Sequence, residues 1–282
     1  MAIPKTNIWT EMTDIPPRVF INSLPKAGTN LVSRAFDLAG VPYGKLGIAG
    51  TLLLGDRYYV RQLLRRSFFE RDPVMVGLDV QMPVRRAWLE RRLSRVPEGG
   101  YVTGHANWSM GLEDLLAAHG FRTLVVIRDP RDVLLSHGHY VATSKAHFLK
   151  ATYSRLSITE RTLLTLKGGR IDGLDVAPFT TMLERIDHWI GRPSVEVVRF
   201  EDIVGQRGGG SVERQHAVFD MLSRLTGRTF DPARMDAELY GRSHTFRKGK
   251  IGTAAEELDA DTLARVDEEL ELMRRKWGYT DD

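Results

Sequence analysis

The sequence predicts a three-layer α/β/α fold around a central, mainly parallel sheet. Three observations predict it. Strand-like and helix-like stretches alternate along the 282 residues instead of segregating. The stretches around Val19–Ile21 and Phe121–Ile127 read as strands buried on both faces, as in parallel sheets. Both end in a chemically loaded loop that opens straight into a helix, which places ligands at the carboxyl ends of strands.

The elements follow in order. Val19, Phe20 and Ile21 form the first strand, Pro25-Lys26-Ala27-Gly28-Thr29 a loop, and Leu31–Ala39 a helix. A helix over Tyr58–Phe69 carries Tyr59, Leu63, Leu64 and Phe68 on one side and Arg61, Arg65 and Arg66 on the other. Val74–Val80 and Gly100–His105 read as strands. Val84–Leu93 and Ser109–His119 read as helices, the second closed by Gly120 in the usual stop position. The strand Phe121–Ile127 ends at Arg128-Asp129-Pro130-Arg131-Asp132, with Asp129 placed to cap and Pro130 to start a helix. Helices at Ser157–Thr165 and Ala177–Ile190, a strand at Val195–Phe200, and helices at Glu213–Leu225 and Asp261–Trp277 complete the alternation.

A chain of this length buries one substantial core, and a single domain over 1–282 is expected. The absence of cysteine excludes disulfides, thiol nucleophiles and thiolate metal sites and fits a reducing compartment. The first residues lack a charged segment followed by an apolar one, and the longest apolar stretch, Ile48 to Leu54, is far short of the ~20 residues that span a bilayer. A soluble cytoplasmic protein is the expectation. The net charge of +4 is unevenly spread, with ten arginines against four acids between Arg57 and Arg95. Solvated helix faces account for most of them. An anionic ligand, acceptor or surface fits the remainder, a peripheral membrane contact stays open, and no nucleic-acid partner is expected.

A loop ahead of a helix start presents backbone N–H groups and the positive end of the helix dipole, and Lys26 adds a full charge beside them. The loop differs from the nucleoside-triphosphate version, because the lysine precedes the glycine and no first glycine stands upstream. Arg128 and Ser136 lie about two helical turns apart, so one phosphate across the helix start could meet both. Arg128-Asp-Pro-Arg-Asp132 is equally a sound helix start with internal ion pairs. Thr245–Gly252 is a glycine-flanked basic loop that fits a flap over a polyanion or a solvated loop.

Leu24-Pro-Lys-Ala-Gly-Thr-Asn30 resembles the 5′-phosphosulfate loop of the sulfotransferases that use 3′-phosphoadenosine 5′-phosphosulfate (PAPS). Ile127-Arg-Asp-Pro-Arg-Asp-Val-Leu-Leu-Ser136 resembles their 3′-phosphate motif, Phe246-Arg-Lys-Gly-Lys-Ile-Gly252 their C-terminal Arg-Lys-Gly-x-x-Gly, and Arg199-Phe-Glu-Asp-Ile203 the Arg-Tyr-Glu-Asp-Leu after a late strand. The motifs keep the family's order and span residues 18 to 252.

The resemblance implies the P-loop-like sulfotransferase fold and transfer of a sulfuryl group from PAPS to a hydroxyl or amine, leaving adenosine 3′,5′-bisphosphate (PAP). It implies that Lys26, Ala27, Gly28, Thr29 and Asn30 hold the 5′-phosphosulfate and that Arg128, Ser136, Arg247, Lys248 and Gly249 surround the 3′-phosphate, with no metal. Lys26 would stabilise the leaving oxygen. His105, at the end of a predicted strand, is the candidate base, although Thr103 and Gly104 stand where many relatives carry Lys and Thr; His137 and His139 are its rivals, and His188 reads as structural. Leu31 replaces a tryptophan that stacks on adenine in many relatives. Residues 46–95 match no motif and are the expected acceptor-specificity insertion, suiting a small-molecule, saccharide or glycolipid acceptor. An ATP-dependent small-molecule kinase or NTPase with an atypical loop, and a non-catalytic nucleotide-binding protein, are the alternatives.

Overall fold

Val19 to Ser23 are all buried because β1 (Arg18–Ser23) occupies the centre of a five-stranded sheet. The strand order is β2 (Tyr43–Ala49), β5 (Tyr101–His105), β1, β6 (Phe121–Ile127) and β9 (Val195–Arg199), and every pairing is parallel. The structure is a computed structural model and describes residues 16–49, 73–145, 147–240 and 249–279.

Side chains alternate across this sheet with period two, which divides the core into two layers. Val19 and Ile21 of β1 join Leu124 and Val126 of β6 on one face. There they meet α1 (Thr29–Leu38), α9 (Val212–Thr226) and α10 (Pro232–Glu238). Phe20, Val125 and Ile127 face the other layer, built by α2 (Arg86–Leu93), α3 (Met110–Ala118), α4 (Pro130–Thr143), α7 (Phe179–Asp187) and α12 (Ala260–Lys276). The predicted three layers are present. Between α4 and α7 lie α5 (Lys150–Tyr153) and α6 (Ile158–Lys167); α8 (Phe200–Ile203) follows β9 directly, and α11 (Thr253–Glu257) precedes α12.

Several elements depart from their sequence signals, each for a local reason. β2 has no alternating pattern because Gly44 and Gly47 interrupt it, Lys45 is left-handed (φ 51°) and its register with β5 shifts between Tyr43 and Gly47. The strand expected over 74–80 stops at Val76, where Gly77 turns the chain at φ 124°. It is β3 (Pro73–Val76), paired antiparallel with β4 (Met82–Arg85), so Val84 lies opposite Val74 and the helix begins at Arg86. A second hairpin, β7 (Gly169–Ile171) with β8 (Leu174–Val176), turns on Asp172-Gly173, both at positive φ as a tight hairpin turn requires. Leu46, Ile48, Val76, Val84 and Leu93 belong to the core, so the described part of the 46–95 stretch is woven into the sheet and its cover. The helix expected over 58–69 lies outside the described residues.

Candidate active site

The β1 loop is held from both sides. Gly28 has φ 119°, and a Cβ there would come within 2.9 Å of the Phe200 ring, so backbone conformation and space both require glycine. Lys26 is also left-handed, at φ 75°. Gly28 caps α1 with no side-chain hydrogen bond, and the first turn carries no acid. The positive end of this helix therefore keeps its capacity for an anion. Ala27 is packed into the core, Ser23 and Thr29 share a short hydroxyl hydrogen bond, Asn30 is exposed, and Lys26 Nζ lies 5.1 Å from the centre of the Tyr140 ring. Leu31, 9% exposed, belongs to the core layer under α1 and does not offer itself to a ligand.

His105 ends β5, the strand beside β1, with its Nδ1 2.8 Å from Ser23 O. A carbonyl oxygen only accepts, so Nδ1 carries the proton and Nε2 keeps its lone pair. Burial holds the His105 imidazole below its usual value of 6.5; the Ser23 bond opposes this and the Lys26 charge adds to it. The strand end is fixed by Asn22, whose side chain both donates to Ala106 O and accepts from Ala106 N at 2.9 Å, while Trp189 Nε1 donates to the same carbonyl at 3.0 Å. Gly104 has no room for a side chain, since a Cβ would lie 2.5 Å from Ile48 O and 2.7 Å from Phe20.

On the other side of β1, Arg128 ends β6. It is 6% exposed, donates to Asp132 Oδ2 at 3.1 Å and to Lys250 O at 2.7 Å, and stacks 4.3 Å over Phe200. Its Nε is buried without a partner among the described residues. Asp132, 1% exposed, also accepts from Gly252 N at 2.9 Å, Thr253 Oγ1 at 3.1 Å and Ala254 N at 2.8 Å. It thus caps α11 from another helix and ties the C-terminal loop to Arg128. Gly249 and Ile251 pack on the glycine loop at 208–210, where Ile251 N donates to Gly208 O at 3.1 Å. Arg247 and Lys248 lie outside the described residues. Ser136 is buried one turn beyond Asp132 on α4.

Glu201 closes the unit: it accepts from Asp129 N at 2.9 Å and from Tyr279 OH at 2.7 Å, and burial raises its pKa. Arg199 stacks on Tyr279 and donates to Trp277 O, so the 199–203 motif fastens the chain end to the β6 turn.

Ser23 is in register with Val126, and Asn22 with Gly104. The sheet edge therefore presents His105, the Lys26 loop and Arg128 side by side, in that order. Known proteins share the fold. The mouse sulfotransferase SULT7A1, complexed with PAP, superimposes with a TM-score of 0.53 at 14% identity, over 92% of this chain and 85% of that one. Retinol dehydratase, in complex with androsterone and inactive cofactor PAP, gives 0.53 at 13% identity over 90% of this chain and 79% of that one. The chain has the sulfotransferase fold. No family model and no curated protein matches the sequence.

Within this sulfotransferase fold, sequence motifs locate the loops but not their supports. Asp132 reads as part of a helix-start ion pair, and its reach to residues 252–254 has no local signal. Of the rival histidines, His137 is buried close enough to Lys26 and His105 for their charges to lower its pKa, whereas His139 pairs with Glu257 at 3.3 Å. His188 is exposed at the end of α7.

Proposed function

We propose that the protein is a PAPS-dependent sulfotransferase acting on a hydroxyl or amine of a small-molecule acceptor. One observation carries the reading: three adjacent strand ends offer a neutral imidazole, a lysine at an acid-free helix start, and a buried arginine, in the order that a base, a 5′-phosphosulfate and a 3′-phosphate need. The residues fit the nucleotide. Arg128 Nε, buried without a partner among the described residues, suits an acceptor, and Ser136 stands on α4 one turn from Asp132, which holds Arg128. Ala27, Gly28, Thr29 and Asn30 would contribute backbone and side-chain donors, and Gly249 with Arg247 and Lys248 would close on the 3′-phosphate.

Bound PAPS supplies a sulfuryl group on a phosphate leaving group. His105 Nε2 takes the acceptor's proton, Lys26 offsets charge growing on the leaving oxygen, and the start of α1, which has no side-chain cap and no acid, orients the 5′ end. The androsterone in retinol dehydratase supports a small-molecule acceptor here. A saccharide or lipid-linked acceptor is a narrower form of the same proposal.

The test is thermal stabilisation. PAP is expected to raise Tm more than ADP with magnesium, and radiolabelled PAPS to pass its label to an acceptor pool. Equal or greater stabilisation by ADP sinks the reading in favour of an ATP enzyme. Because burial and Lys26 lower the His105 pKa, the neutral base persists below pH 6.5. The acid limb of kcat/KM is therefore expected below pH 6.5, with activity falling as pH drops through it, and His105→Ala is expected to abolish turnover while PAP affinity stays near wild type.

A further inference from the structure

His137 follows Ser136 on α4 and shares a helical face with Tyr140, whose ring lies under Lys26 Nζ. The residue is 5% exposed, and its Nδ1 is sealed from solvent with no hydrogen-bond partner among the described residues. Burial, then the charges of His147, Lys26 and His105, lower its pKa to about 3, so the ring is neutral. A neutral imidazole has one N–H and one lone pair, and a buried N–H without a partner is rarer than a buried acceptor without one. The sealed Nδ1 therefore carries the lone pair and the proton sits on Nε2, at the far end of the ring. His105 is wired the other way, since Ser23 O takes its Nδ1 proton. Two neutral imidazoles beside Lys26 thus have opposite polarity at Nε2.

The geometry points to His137 as a further catalytic residue whose Nε2–H donates to an oxygen of the transferring sulfuryl group while His105 removes the acceptor's proton. This rests on the sulfotransferase reading. In the step, the acceptor's O–H or N–H proton moves to His105 Nε2 and the acceptor atom bonds to sulfur. The bond from sulfur to the 5′-phosphate oxygen breaks, and its electron pair leaves with PAP. His137 keeps its proton throughout. Neutrality matters, because a second cation beside Lys26 would drain the basicity of His105.

Calorimetric titration of the full chain with PAPS and with PAP, without acceptor, isolates this contact. His137→Phe is expected to weaken PAPS about tenfold, the size of one hydrogen bond to a charged group, and to leave PAP unchanged. Turnover should fall about 100-fold in His137→Phe and recover largely in His137→Gln, whose amide N–H restores the donor. Equal losses for PAPS and PAP, or a glutamine variant as poor as the phenylalanine one, overturn the assignment. A wild-type chain that binds neither nucleotide overturns the function reading as well, which separates the two failures. Nitrogen-15 NMR of the unliganded wild type needs no variant: the proton is expected on Nε2 of His137 and Nδ1 of His105, and a proton on Nδ1 of His137 overturns the proposal.

Discussion

The neighbouring ends of β1 and β6 open helices that start in opposite ways. At β1, helix α1 has a glycine cap, no side-chain hydrogen bond and no acid in its first turn. At β6 the start of α4 is saturated with carboxylates: Asp129 accepts from Arg131 N at 2.9 Å, pairs with Arg131 at 3.1 Å and reaches Arg274 at 3.4 Å, while Asp132 holds Arg128. The difference teaches what each end is suited to hold. Carboxylates fix arginines in one geometry, which suits a ligand charge that stays constant through a reaction. An acid-free helix start keeps its field for charge that grows only in the transition state.

The comparison breaks first at Asp132. Removing its carboxylate leaves Arg128 buried without its ion pair and unties residues 252–254, so Asp132→Ala is expected to cost about 3–5 kcal/mol of unfolding free energy in urea titrations. A loss under about 1 kcal/mol would show that the carboxylate does not build the β6 end. Lys26→Ala comes next, with kcat expected to fall about 10²–10³-fold, or ~3–4 kcal/mol, and with folding stability near wild type. PAP affinity is expected to drop far less than kcat. If the two fall together, Lys26 is an anchor for the ground state and the proposed contrast between the two ends disappears.

Both ends were legible in sequence to different depths. The β1 loop is contiguous, so Lys26, Gly28 and Thr29 are visible as a strand-loop-helix unit, and the sheet follows from apolar runs such as Phe121–Ile127. At β6, Arg128 and Ser136 are visible through helical spacing, yet the groups that set Arg128 come from Phe200, Lys250 and Asp132. Hydrogen bonds that join residues 120 positions apart leave no local pattern. Gly104 looks like a mere departure from the family's motif until Ile48 O and Phe20 are seen to exclude any side chain. β2 stayed hidden because its glycines erase the alternation on which a strand reading depends.

Ser136 gives the smallest effect and the sharpest comparison. Helical hydroxyls elsewhere turn back on their own backbone: Thr162 to Ile158 O at 2.9 Å, Thr165 to Arg161 O at 2.8 Å, and Ser223 to Phe219 O at 2.8 Å. Ser136 makes no such bond among the described residues, although it is 8% exposed and stands one turn from Asp132. If it serves the 3′-phosphate alone, Ser136→Ala should lower affinity for PAP about tenfold, one hydrogen bond to a charged group, and leave adenosine 5′-monophosphate unaffected. Stability should hold or rise slightly, because alanine favours the helix and no internal bond is lost. Calorimetry with the two nucleotides reads the difference directly. Equal weakening of both would move Ser136 to the 5′ end, beside Lys26, and the division of labour between the two strand ends would have to be redrawn.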